Sequence, residues 1–93
     1  MKKNHTKKEA ISKFMSEFSI HSTFKSKAIV AYLFDRCELS IFNYYYHFIS
    51  DQKVFELTGR SVNTLKSWKN HKVKIALYDE AKSVAALKMV EMS

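Results

Sequence analysis

A chain of 93 residues has room for one domain with a modest core. Its 46% hydrophobic and 14% aromatic residues exclude a disordered chain, and one Gly with no Pro leaves hairpin turns poorly supplied, so helices are expected rather than a sheet. Sixteen Lys and Arg against nine Asp and Glu give a net charge of +7 and point to a polyanionic partner, while a single Cys excludes an internal disulfide and no apolar run approaches the roughly 18 residues of a membrane span.

Residues 1–5 read as a short basic arm without the apolar run of a signal peptide, which implies a cytoplasmic protein. Thr6 and Glu9 have the spacing of a capping box, followed by Ala10, Ile11, Phe14, Met15 and Phe18 at helical intervals. A polar stretch over 19–22 then interrupts the pattern. Ser22 is the expected cap of a second helix carrying Phe24, Ala28, Ile29, Ala31, Tyr32, Leu33 and Phe34, a density that predicts burial on more than one side. Cys37, with no activating partner in view, reads as a small buried hydrophobe.

Residues 39–49 are ambiguous, since Ile41, Phe42, Tyr44, Tyr45, Tyr46, Phe48 and Ile49 suit a strand but do not alternate; helix is the expectation. Ser50 or Asp51 caps the next helix, with Val54, Phe55 and Leu57 facing inward. The only Gly of the chain, Gly59, then forces a turn. Beyond Trp68 a basic link over 69–74 leads into a last helix over 75–91, with Leu77, Ala81, Val84, Ala85, Leu87 and Val90 on a broad apolar stripe. That stripe suits a homodimer interface and the cover of a monomer core equally. The expected architecture is all-α, about five helices in one small domain spanning 1–93.

In residues 57–70 a Gly able to adopt positive φ precedes Ser61, which caps a second helix, and Leu65 and Trp68 stand three apart as its inward anchors. Val62, Asn63, Lys66, Ser67 and Asn70 are thereby turned outward. Over 51–70 the chain resembles the helix-turn-helix of bacterial and phage regulators, including repressor-like and excisionase-like proteins. The resemblance implies a reader helix in the major groove of duplex DNA and, for a reader covering few base pairs, a dimer on paired half-sites. Asn63, Lys66, Ser67 and Asn70 are the expected base-reading residues, and Arg60, Ser61, Thr64, Lys69, Lys72 and Lys74 the expected phosphate contacts. One departure is Phe55, where the family usually carries Ala or Gly at the helix crossing. Either the ring widens the crossing, or the helix rotates so that Val54 faces inward.

Charge agrees with this reading. Residues 57–78 hold five cations, Arg60, Lys66, Lys69, Lys72 and Lys74, and no acidic residue. Lys2, Lys3, Lys7 and Lys8 are either a second contact or a solubilising tail. The implied function is sequence-specific binding of double-stranded DNA by a nucleoid-associated transcriptional regulator of phage or mobile-element type. Two alternatives stand beside it. One is a protein-interaction module that inhibits a host protein; the other is a single-stranded nucleic-acid or RNA binder stacking bases on Tyr44, Tyr45 and Tyr46. These tyrosines otherwise read as core and interface material. His5, His21, His47 and His71 show no metal-ligand spacing, and no phosphate loop or nucleophile motif is present, so no enzyme, metal or cofactor is expected.

Overall fold

The computed structural model describes residues 7–17 and 23–92. Every regular element among them is helical: α1 (Lys7–Glu17), α2 (Phe24–Asp35), α3 (Leu39–Phe48), α4 (Asp51–Thr58), α5 (Val62–Lys69) and α6 (Ile75–Met92). The all-helical expectation holds, with six helices rather than about five among the described residues. The aromatic segment is a helix of its own because Phe42 and Tyr46, one turn apart, are both buried against the core; packing overrides their strand propensity.

Short-range signals set the helix ends. Ser50 Oγ accepts from the Lys53 amide at 3.1 Å and starts α4, and Ser61 Oγ does the same with the Thr64 amide at 3.1 Å to start α5. Gly59 ends α4 at φ +82°, its amide donating to the Phe55 carbonyl at 2.8 Å. The α2 cap is a correction: Thr23, not Ser22, accepts from the Ser26 amide at 3.1 Å, since Thr23 is the residue with extended backbone directly before the helix. The expected arm over 1–5, the Thr6 cap, Phe18 and Ser22 lie outside the described residues.

The 18-residue α6, about 27 Å long, is the spine of the fold. Toward its C-terminal end Ala86 and Val90 pack with Ile11 and Met15 of α1, Ile29, Val30 and Leu33 of α2, and Phe42 and Tyr46 of α3. Toward its start Tyr78, Ala81 and Ala85 pack with Val54 of α4 and Leu65 of α5, flanked by Ile49, Leu57 and Trp68. The two clusters lie along one helix, which accounts for the elongated 52 × 32 × 18 Å outline. Most of the α6 stripe is thus spent inside the monomer, and Leu77, expected on it, is 43% exposed because it stands at the edge of the buried arc, one turn before Ala81, where it borders an open pocket with Trp68 and Val84.

Three further expectations are corrected. Val54 is fully buried and Phe55 is 41% exposed, so α4 is rotated to present the small side chain and the ring does not enter the crossing. Helix α2 buries a single face, Ser26, Ile29, Val30 and Leu33, while Tyr32 and Phe34 are exposed. Cys37 is exposed rather than buried: it follows the last turn of α2 at φ +59°, a left-handed position that points its side chain away from the core.

Candidate nucleic-acid interface

Helices α4 and α5, eight residues each, are joined through Gly59, Arg60 and Ser61. Leu65 fastens α5 from beneath with no exposed surface, and Trp68 is half-buried beside it. With a helical repeat of 3.6 residues, Asn63 and Ser67 then lie nearly opposite Leu65, with Lys66 on their flank. All three are exposed, and Val62 is half-buried.

The ten expected contact residues divide by where this geometry puts them. Asn63, Lys66 and Ser67 share the open face of α5. Asn70 is also exposed, but its Nδ2 donates to the Lys66 carbonyl at 3.1 Å and closes the end of the helix. Ser61 and Thr64 form the cap, the Ser61 hydroxyl donating to Thr64 Oγ1 at 2.8 Å, which leaves the Thr64 hydroxyl proton to point elsewhere. Arg60 is exposed at the turn, its guanidinium 5.6 Å from the centroid of Trp68. Lys72 and Lys74 are exposed in the turn that follows α5.

Lys69 stands apart. One turn after Leu65, it lies only about 40° around the helix from that buried anchor, on the flank facing α6. Its ammonium sits 5.8 Å from the ring centroid of Tyr78. There it meets a polar seam: Lys82 Nζ lies 4.6 Å from the Tyr46 ring and 5.7 Å from the Tyr78 ring. Burial holds the Lys82 ammonium below its ordinary range, with Lys69 adding to the effect and Asp79 and Asp51 opposing it. Burial also pushes the Tyr78 hydroxyl up to about 12, helped by its hydrogen bond to Asp51. Tyr46 is raised for the same first reason, with Asp79 as its hydrogen-bonding carboxylate.

Three residues of the neighbourhood escape a reading of the sequence. His71 Nδ1 accepts from the Val73 and Lys74 amides at 3.1 and 3.2 Å, which fixes the turn bearing Lys72 and Lys74. The only signal for this is its place just before a helix, where a cap is needed. Lys25 from α2 and Lys88 from α6 line a pocket of about 210 Å³ with Arg60, Trp68 and Glu80. Lying far apart in the chain, they carry no local signal at all.

Among the described residues no group of three or more His, Cys, Asp or Glu is placed to hold a metal ion, and no helix is long and apolar enough to cross a membrane. Comparison of the chain with protein-family models, curated proteins and solved structures finds no match.

Proposed function

We propose that this chain is a sequence-specific double-stranded DNA-binding protein, a small transcriptional regulator in which α4 and α5 act as a helix-turn-helix and α5 is the reader. One observation carries the reading: Leu65 is fully buried while Asn63, Lys66 and Ser67, on the far side of the same short helix, are exposed. An α-helix fits the major groove only if such a face is left uncovered by its own chain.

In this reading the side chains divide by reach. Asn63 pairs with adenine through its amide, Lys66 donates to the acceptor edge of guanine, and Ser67 bonds to either. Arg60, Ser61, Thr64, Lys72 and Lys74 hold backbone phosphates, the first three at the N-terminal end of α5, where the helix dipole and free amides favour an anion. Lys69, exposed on the flank beside the Tyr78 ring, is in a position to join them. Asn70 serves the helix end before it serves a base.

Selection of bound fragments from random duplex DNA by the purified protein tests the proposal. The expected result is an enriched duplex sequence whose affinity falls steeply with salt. Recovery of no preferred sequence, or a preference for single strands, would overturn it.

A further inference from the structure

The outer face of α3 is unlike the rest of the surface. Phe48 is 75% exposed, Tyr44 60% and Ile41 39%, and their spacing places all three on one side of the helix. The Tyr44 and Phe48 rings lie against each other with centroids 5.1 Å apart. Beside them runs a groove of about 360 Å³ lined by Tyr44, Tyr45, Phe48, Ile49, Lys53 and Met89. Exposed aromatic side chains at this density mark contact surfaces, because a monomer gains nothing by leaving them in water.

We propose that this face pairs with its own copy, so that the chain forms a two-fold dimer through α3. The argument for a second copy is electrostatic. Around a two-fold axis each side chain near the axis meets the same side chain of the other copy, so any charge there meets a like charge. In a chain with 27% charged residues and a net charge of +7, residues 39–50 contain no Asp, Glu, Lys or Arg. Lys53, the one cation of the groove lining, is matched by Glu56 at 3.5 Å. A nucleic-acid strand would call for cations on this face, and an acidic protein would call for the same. A face with none lets two copies meet near the axis without opposing like charges.

The geometry also offers a fit. A closed cavity of about 150 Å³ is enough for a benzene ring, so the groove beside Tyr44 has room for the Phe48 ring of a second copy, and symmetry makes the exchange mutual. Most of the α6 stripe is covered by helices of its own chain, and Leu77 is the one member of it left exposed, without an aromatic neighbour on the same helix face. The pairing is independent of what α5 binds.

Sedimentation velocity of the full chain over a concentration series, at low and high salt, tests this. The expected result is a concentration-dependent dimer that strengthens with salt, because the contact is uncharged and salt screens the repulsion between two +7 molecules. Phe48→Glu should leave only monomer, with helix content by circular dichroism unchanged and a melting temperature equal to that of the parent at dilutions where it too is monomeric. Phe48→Ser, which removes the ring without adding a charge, repeats the test if Phe48→Glu melts early. Leu77→Glu, on the exposed side of α6, should leave the dimer intact. A monomer at every concentration, a dimer indifferent to Phe48, or a dimer lost in Leu77→Glu overturns the proposal. Quenching of tyrosine fluorescence by poly(dT) that disappears in Phe48→Glu would also overturn it and give the face to nucleobases.

Discussion

The hydroxyl of Tyr78, on α6, donates to Oδ1 of Asp51, the first residue of α4, across 3.0 Å. At the other end of α4 the Lys88 ammonium donates to the Leu57 carbonyl at 2.9 Å, meeting one of the acceptors that a helix end leaves free. Helix α4 is therefore pinned to α6 at both ends, and α5 hangs from it through Gly59. The direction in which Asn63 and Lys66 face is set by these two ties as well as by Leu65. Tyr78→Phe should cost about 1–2 kcal/mol, the usual loss when a partly buried acceptor is left without its donor, measured by urea denaturation at neutral pH.

The same hydroxyl predicts the alkaline limit of the fold. Burial and Asp51 raise Tyr78 from its ordinary value of 10.0 to about 12 in the folded state. The protonated form is the one the fold favours, so its contribution is complete below pH 10 and is lost as pH climbs from there through about 12. Tyr46 shifts in the same direction. Lys82 has the opposite sign: its lowered value makes the folded state release a proton first, and the penalty on its charge is relieved as pH rises toward 10.5. Stability should hold or rise slightly up to about pH 10 and then decline. In Tyr78→Phe the decline should be shallower, as read from urea midpoints across this range.

Cys37 ends α2 in the geometry usually given to glycine. Its amide donates to the Phe34 carbonyl at 3.1 Å and the next amide, of Glu38, to the Leu33 carbonyl at 2.9 Å, with Cys37 itself at φ +59°. A side chain in this region costs about 1–2 kcal/mol. Part of that cost is returned by the greater freedom of glycine in the unfolded chain. Cys37→Gly should therefore stabilise the protein by about 0.5–1 kcal/mol and raise the thermal midpoint, whereas β-branched Cys37→Val should lower it.

Ser83 lies in the middle of α6 with no exposed surface, and its hydroxyl has no hydrogen-bond partner among the described residues. A buried hydroxyl left unpaired costs about 1–3 kcal/mol, and alanine is the better helix former. Ser83→Ala should raise stability by about 1 kcal/mol, seen as a higher urea midpoint with an unchanged slope. A drop instead would mean that the hydroxyl is paired after all.

On DNA, the open face of α5 and the turn after it should separate in phenotype. Lys66→Ala should flatten the preference between the selected site and its single-base variants, a loss of about 1–3 kcal/mol confined to the right sequence. Lys72→Ala should weaken all duplexes alike and lower the salt slope by about one. Titrations of both variants against matched and mismatched duplexes at several salt concentrations distinguish the two. Equal losses on every sequence would remove Lys66 from the base-reading set.

What the sequence alone determined is what depends on a few neighbouring residues. Ser50, Gly59 and Ser61 act through hydrogen bonds and backbone angles that span at most four residues, so the bounds of α4 and α5 and the inward Leu65 were all legible. The choice between Val54 and Phe55, the exposure of Cys37 and Leu77, and the placing of Lys69 beside Tyr78 were not. Cys37 follows from a left-handed backbone angle, the others from where α6 lies against its neighbours, and α6 buries Tyr78, Asp79, Ala81, Ser83, Ala85, Ala86 and Val90 around more than half its circumference, polar residues included. A hydrophobic pattern marks a single face well; it says little about a helix surrounded by four others, where position in space rather than residue type decides what is covered.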